Sequence, residues 1–147
     1  TRDYEDFGTS GHVDIVATIP SPGRVLLHAQ RDAAHPDAAV SARLRTQLAE
    51  ATDAAGRRFD VIDLPAPATL RDEEGFVDWS YVNHYVVNDG VIACGFGEDA
   101  ADATARAILA EAYPGRRVVT VDARPIFARG GGIHCITQQQ PAVGSGR

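Results

Sequence analysis

The sequence lacks methionine altogether, and its 147 residues include only one tryptophan and two cysteines. No apolar run approaches the roughly 18 residues that a membrane-spanning helix needs, so we expect no membrane partner. The formal net charge is −6, and the largest basic groups are the pairs Arg57–Arg58 and Arg116–Arg117. Such a chain lacks the basic surface that binds nucleic acid, whereas a mildly acidic surface is compatible with a small cationic substrate.

The first residue and the two cysteines bear on the origin of the chain. Because it begins with Thr1 and contains no methionine, we expect a fragment or a processed chain. Residues 1–6 show no signal-peptide character. Cys94 and Cys135 stand in such different sequence surroundings that we expect no disulfide between them, and therefore a reducing, cytoplasmic setting.

Two segments, about 12–64 and 80–122, carry the same order of predicted elements: strand, turn, strand, helix, strand. The first segment has predicted strands at 13–19, 25–27 and 59–64, and a predicted helix at 37–54 that Gly56 stops. The second has predicted strands at 81–87, 91–94 and 118–121 around a helix capped by Asp99 or Asp102.

This order indicates an internal repeat within a single α/β domain. We expect residues 66–78, which separate the two segments, to form a loop. After the second segment, residues 133–137 alternate like the opening strand of a further unit. Because repeat architectures usually need more than two copies to close a core, the sequence favours part of a larger α/β repeat fold.

The candidate for chemistry is Cys135, which follows the run Gly130-Gly131-Gly132. A glycine run lets another group approach the thiol closely, and a base or positive field would make the thiol a nucleophile. On a strand, His12 and Asp14 would project to the same side, as an acid/base and a cation-binding group. The alternative is that these two side chains merely face solvent.

The other candidates are weaker. His134 would lie on the opposite face of a strand from Cys135, which favours a structural role. His28, His35 and His84 have no evident partner, and Cys94 alternates with apolar neighbours like a buried, inert thiol. Metal ligation by His12, Asp14 and Cys135 stays open, although no Cys-x-x-Cys or His-x-x-x-His pattern supports it. The glycine run lacks the ending of a phosphate loop, which argues against a nucleotide site.

Several motifs resemble a known family. Residues 131–141, Gly-Gly-Ile-His-Cys-Ile-Thr-Gln-Gln-Gln-Pro, closely resemble the C-terminal signature of agmatine deiminases in the bacterial peptidyl-arginine deiminase family. Residues 11–14 match the family's His-x-Asp motif, and residues 80–83, 88–92 and 95–97 match intervening segments in the same order. The resemblance thus covers nearly the whole chain, as the C-terminal portion of such an enzyme.

The resemblance implies a fold and a set of roles. The family has the guanidino-group-modifying fold, a five-bladed α/β propeller of strand-strand-helix-strand units, and needs neither a metal nor an organic cofactor. Carried over, Cys135 is the nucleophile, His12 the acid/base and Asp14 the acceptor for the guanidinium. Asn83, together with Gly131 and Gly132, would contribute to substrate binding.

Two departures from the family pattern follow from the same comparison. Ser10 stands where the family usually has aspartate. Residues 1–147 would be the C-terminal part of one deiminase domain, with the nucleophile segment at 130–141. The N-terminal part, with the other carboxylates and blades, would come from a lost segment or a second chain, and we also consider a homo-oligomer.

The expected reaction is hydrolysis of agmatine to N-carbamoylputrescine and ammonia through a covalent cysteine adduct, a step of polyamine synthesis. Two alternatives stay open at the level of sequence. The first is a deiminase or amidinotransferase that acts on peptidyl-arginine or another guanidino compound. The second is a catalytically silent fragment that serves as an assembly or binding module.

Overall fold

The computed structural model describes residues 12–141, which form a mixed α/β fold around three small sheets. The strands are β1 (Ala17–Ser21), β2 (Arg24–Ala29), β3 (Asp60–Pro65), β4 (Arg71–Asp72), β5 (Gly75–Phe76), β6 (Tyr85–Val87), β7 (Gly90–Gly95) and β8 (Arg117–Asp122). The helices are α1 (Asp37–Glu50), α2 (Asp99–Ala112) and α3 (Arg124–Phe127). Two 3₁₀ helices span Val13–Ile15 and His134–Ile136.

The first three-stranded sheet has β2 at its centre. This strand pairs antiparallel with β1 and parallel with β3, and α1 makes the crossover between β2 and β3. Val25, Leu26 and Leu27 are all buried, as expected for a central strand that is covered on both faces. The helix α1 ends at Glu50, earlier than the predicted stop near Gly56.

The second three-stranded sheet has the same topology. The strand β7 pairs antiparallel with β6 and parallel with β8, and α2 makes the crossover. A tight turn at residues 88 and 89 joins β6 to β7, as the Asn-Asp-Gly sequence predicts. Val91, Ala93 and Cys94 are buried in the central strand. The order of elements read from the sequence is therefore present in both sheets.

A shared core joins the two sheets. Leu26 and Leu64 of the first sheet belong to one buried cluster with Val91 and Leu109 of the second. Phe96 lies among aromatic neighbours in this cluster, stacked on Trp79 and in edge contact with Tyr81 and Phe127. Within residues 12–141, no helix is long and apolar enough to cross a membrane.

Two predicted strands are shorter than expected. The segment predicted as a strand at 13–19 becomes one only at Ala17. Because Ala17 pairs with Leu27 in an antiparallel register, residues 13 and 14 would face residues 31 and 30, beyond the end of β2. The chain instead turns, with the amide of Val16 donating to the carbonyl of Val13 at 2.9 Å.

The strand predicted at 81–87 likewise begins only at Tyr85, because the Ser80 hydroxyl accepts the amide of Val82 and starts a turn. Residues 80–84 are nevertheless buried. The loop predicted at 66–78 contains the small β4–β5 hairpin. These turns matter because they precede or contain residues of the candidate site.

Asp102 organises the start of α2. Its carboxylate accepts the hydroxyl of Tyr81 at 2.6 Å and the amides of Phe96, Gly97 and Glu98 at 3.0–3.3 Å. The sequence predicts Asp99 or Asp102 as the cap of this helix, but the N-cap residue is Glu98, whose side chain makes no capping hydrogen bond. Of the two aspartates, only Asp102 accepts these amides among the described residues, and it does so from inside the helix. Burial, followed by the hydrogen bond to Asp102, raises the pKa of the Tyr81 hydroxyl.

We predict that Asp102→Ala lowers the free energy of unfolding by about 2–4 kcal/mol, because it leaves a buried hydroxyl and several amides without an acceptor. Urea denaturation measures this change. Asp99→Ala is the matched control in the same helical turn and should cost less than about 1 kcal/mol. Equal losses in the two variants would contradict the assigned role of Asp102.

Candidate active site

The two 3₁₀ helices bring Asp14 and Cys135 together across 121 positions of sequence. The thiol of Cys135 lies 3.3 Å from Oδ2 of Asp14, in position to donate a hydrogen bond to the carboxylate. Cys135 is exposed, and Asp14 is half-buried. The structure thus places a solvent-accessible thiol directly against a carboxylate.

Asn83 connects the two helices through its side chain, which is fully buried. Its amide nitrogen donates to Sγ of Cys135 at 3.2 Å and to the backbone carbonyl of Asp14 at 3.3 Å. Its side-chain oxygen accepts the amide of His134 at 2.8 Å. A single amide group therefore contacts both segments that carry the candidate chemistry.

Gly131 and Gly132 provide the room that this arrangement needs. A Cβ at Gly132 would lie 2.4 Å from Oδ1 of Asn83 and 2.7 Å from the ring of Phe127. A Cβ at Gly131 would lie 3.0 Å from Sγ of Cys135. Glycine is required here by close approach, as the sequence predicted for the thiol. Substrate binding by these two residues stays a prediction.

The expected strand at residues 133–137 is wrong, because the segment forms a 3₁₀ helix over His134–Ile136. The carbonyl of His134 accepts both the amide and the hydroxyl of Thr137, which closes the turn. This changes the reading of His134, which strand geometry had turned away from the thiol. Its ring nitrogen Nδ1 lies 2.8 Å from Oδ2 of Asp14.

The two oxygens of the Asp14 carboxylate differ sharply. Oδ2 receives both the His134 ring and the Cys135 thiol, whereas Oδ1 is buried and has no donor among residues 12–141. An ionised carboxylate has about four acceptor sites. Oδ2 of Asp14 thus already accepts two donors, and Oδ1, which accepts none among these residues, is covered from solvent.

The local environment raises the pKa of the Cys135 thiol. Burial raises its pKa most, and the hydrogen bond and negative charge of Asp14 raise it further, while donors at Gly132 and Asn83 act in the opposite direction. A cation that bound to Asp14 would offset its charge and favour the thiolate.

His12 is exposed and precedes the first 3₁₀ helix as its N-cap residue. It does not share a strand with Asp14, so the geometry by which we paired the two side chains is wrong. Among the described residues, no hydrogen bond links His12 to Asp14 or Cys135. Its acid/base role stays a prediction, and Ser10 lies outside the described residues.

Cys94 and the remaining histidines serve the core rather than the site. Cys94 is 1% exposed, and burial raises its pKa to about 12, as expected for an inert thiol. The ring of His84 lies between the carbonyl of Tyr81 and the hydroxyl of Tyr113, and burial lowers its pKa to about 4. Within residues 12–141, no group of three or more His, Cys, Asp or Glu side chains could hold a metal ion.

An accessible cysteine, a half-buried carboxylate and a buried amide that contacts both segments form the candidate site. A family model described as Porphyromonas-type peptidyl-arginine deiminase matches residues 2–141. The chain belongs to this family, and its mixed α/β fold is the fold of the family's solved structures.

Individual relatives agree with the family. A Streptomyces coelicolor protein that carries the provisional name agmatine deiminase is 55% identical over 140 residues, which is 95% of this chain and 41% of the relative. Agmatine deiminase of Pseudomonas putida is 40% identical and is matched over 91% of this chain and 41% of its own length. The structure of Enterococcus faecalis agmatine deiminase is 31% identical with a TM-score of 0.82, over 90% of this chain and 41% of that one.

The chain therefore spans about two fifths of the length of the relatives it matches.

We predict that iodoacetamide alkylates Cys135 and not Cys94 in the folded chain. The midpoint of the alkylation rate, plotted against pH, should lie above that of a free thiol. Asp14→Asn should lower the midpoint, because it removes the negative charge that disfavours the thiolate. Peptide mass mapping across a pH series measures both effects. A midpoint below that of a free thiol, or one unmoved by Asp14→Asn, would contradict this account.

We also predict that Gly132→Ala disrupts the site, because the added methyl group meets a buried amide and an aromatic ring. The Asn83 amide would have to move away from Cys135, and the free energy of unfolding should fall by about 1–3 kcal/mol. Thermal or urea denaturation together with the Cys135 alkylation rate checks this prediction. A variant with unchanged stability and an unchanged alkylation rate would show that Gly132 is not needed there.

Proposed function

We propose that this chain supplies the nucleophile half of the active site of an enzyme that hydrolyses guanidino compounds. The single observation that carries the proposal is the exposed Cys135 thiol hydrogen-bonded to the Asp14 carboxylate. Membership of the peptidyl-arginine deiminase family supports it. Agmatine is the proposed substrate, since relatives that match nearly the whole chain bear the name agmatine deiminase.

Asp14 is proposed to hold the guanidinium. A guanidinium is a planar fork of N–H donors that matches the geometry of a carboxylate, and its binding would give Oδ1 of Asp14, which is covered and has no donor among the described residues, a hydrogen-bond partner once that oxygen becomes accessible. The positive charge of the guanidinium would offset the negative charge of Asp14 on binding. The thiol of Cys135 would therefore ionise when a substrate is present. Asn83 would hold the sulfur in place through the bond that its amide donates.

In the first half-reaction, Sγ of Cys135 forms a bond to the guanidinium carbon, and the thiol proton passes to His12. His12 then returns this proton to one amino group, the C–N bond breaks and ammonia leaves. The carbon stays attached to sulfur as a cationic amidino-thioether.

In the second half-reaction, His12 takes a proton from a water molecule whose oxygen attacks the same carbon. The C–S bond breaks, the ureido product leaves, and the sulfur recovers a proton while one further proton goes to solvent. With agmatine the product is N-carbamoylputrescine. Every proposed step uses side chains of this chain and water.

The remaining parts of the enzyme are also proposed. We propose that additional units complete a five-bladed propeller, supplied by a longer polypeptide or by a second chain, in a cytoplasmic protein that can form homo-oligomers. The limited coverage of the relatives supports additional units. So does β8, where Val119 and Val121 are 41% and 43% exposed at the edge of the second sheet.

Ammonia release from agmatine, arginine and a peptidyl-arginine tests the proposal, on the complete protein that contains this chain. Agmatine should be the best substrate, and Cys135→Ala should lower the rate at least 1,000-fold, because no other group on the described residues offers an accessible thiol.

Cys94→Ala is the matched control, since it removes the other thiol, and should keep at least a third of the rate. No release from any of the three substrates would overturn the deiminase proposal. Release that survives Cys135→Ala would remove Cys135 as the nucleophile.

A further inference from the structure

His134 is the one polar side chain at the site to which the motif reading gave no chemical role. Its ring is 42% exposed, whereas the Asp14 side chain that it contacts is only 18% exposed. The contact at 2.8 Å is shorter than that between Asp14 and the Cys135 thiol at 3.3 Å. Both distances are those of hydrogen bonds, since sulfur is larger than nitrogen and makes longer ones, so Asp14 is held by His134 as well as by the thiol.

The backbone of His134 is fixed on both sides of the ring. Its amide donates to Oδ1 of Asn83 at 2.8 Å, and its carbonyl accepts the amide and hydroxyl of Thr137 at 3.1 and 2.9 Å. The Cα from which the ring extends is therefore held in place, and the contact with Asp14 sets the direction of the ring.

The position of the proton on the His134 ring follows from the chemistry of its partner, Asp14. An ionised carboxylate only accepts hydrogen bonds, so Nδ1 must carry the proton in the contact with Asp14. This holds whether the ring is neutral or charged. Oδ2 of the Asp14 carboxylate then accepts from both His134 and the thiol, which orients the plane of the carboxylate. Oδ1 takes part in neither contact.

We infer that His134 is a positioning residue that orients the Asp14 carboxylate, and thereby the plane in which a guanidinium is held. The expected effect on turnover rests on the proposed function. The statement that His134 holds Asp14 against the thiol does not depend on that function. Because neighbouring side chains of a 3₁₀ helix are only about 120° apart, His134 and Cys135 can both reach one carboxylate.

Three variants test this role. In His134→Asn the amide nitrogen stands two bonds beyond Cβ, as Nδ1 does, so the donor is kept in place. In His134→Gln the donor lies one bond further out, and in His134→Leu it is lost. His134→Asn should keep KM and kcat within about threefold of the wild-type values. His134→Gln and His134→Leu should raise KM at least about tenfold, while kcat stays within about threefold.

A second measurement separates this inference from the proposed function. Asp14→Asn should raise the rate of Cys135 alkylation in the wild-type and His134→Asn backgrounds. In the His134→Gln background, the change in the logarithm of this rate should be at most half as large. This cycle needs no turnover. Absence of ammonia release by the wild type would therefore defeat the proposed function alone.

Three results would overturn the inference itself. The first is a full effect of Asp14→Asn on alkylation when His134 is replaced by Gln or Leu. The second is equal KM values for His134→Asn and His134→Gln in an active enzyme. The third is a fall in kcat alone in all three variants. Circular dichroism of each variant establishes that it is folded.

Discussion

The site depends on the hydrogen bonds of one buried amide. Asn83 donates to the Cys135 sulfur and to the Asp14 carbonyl, and accepts the His134 amide, so it joins the two segments from the buried side, in addition to the direct contacts of Asp14. An unpaired amide in the core would cost several kcal/mol, and this cost makes the arrangement specific. The glycines at 131 and 132 follow from the same constraint, because a side chain there would occupy the space of Asn83 or of the thiol.

The electrostatics of the site follow from a thiol that lies against a carboxylate. Partial burial and the neighbouring Asp14 raise the pKa of the Cys135 thiol. A site of this design responds to charge: a cation that neutralises Asp14 would shift the thiol toward thiolate, whereas a neutral ligand would not. Reactivity would then be coupled to the presence of a guanidinium, which limits unwanted reactions of an exposed cysteine.

Much of the fold could be predicted from the sequence, because the strands β2, β3, β7 and β8 are marked by aliphatic runs between turn residues, whether they are largely buried like β2 and β7 or largely exposed like the edge strand β8. The candidate site was harder, since its residues lie where the regular pattern stops. Residues 13–15 and 133–137 have strand-like composition, yet neither pairs with a strand, and tertiary hydrogen bonds turn both into 3₁₀ helices. The role of His134 was missed for this reason: adjacent residues diverge on a strand, but on a 3₁₀ helix they can converge on Asp14. The one available signal was the glycine run before it.

The central claim is that Cys135 carries the substrate as a covalent adduct held by this constellation. Acid quenching of the complete protein during turnover of agmatine, followed by peptide mass spectrometry, tests it most directly. The account predicts a mass increase equal to the substrate less ammonia, confined to the peptide that contains Cys135. Ammonia release with no adduct on that peptide, or with the adduct on another residue, would contradict it.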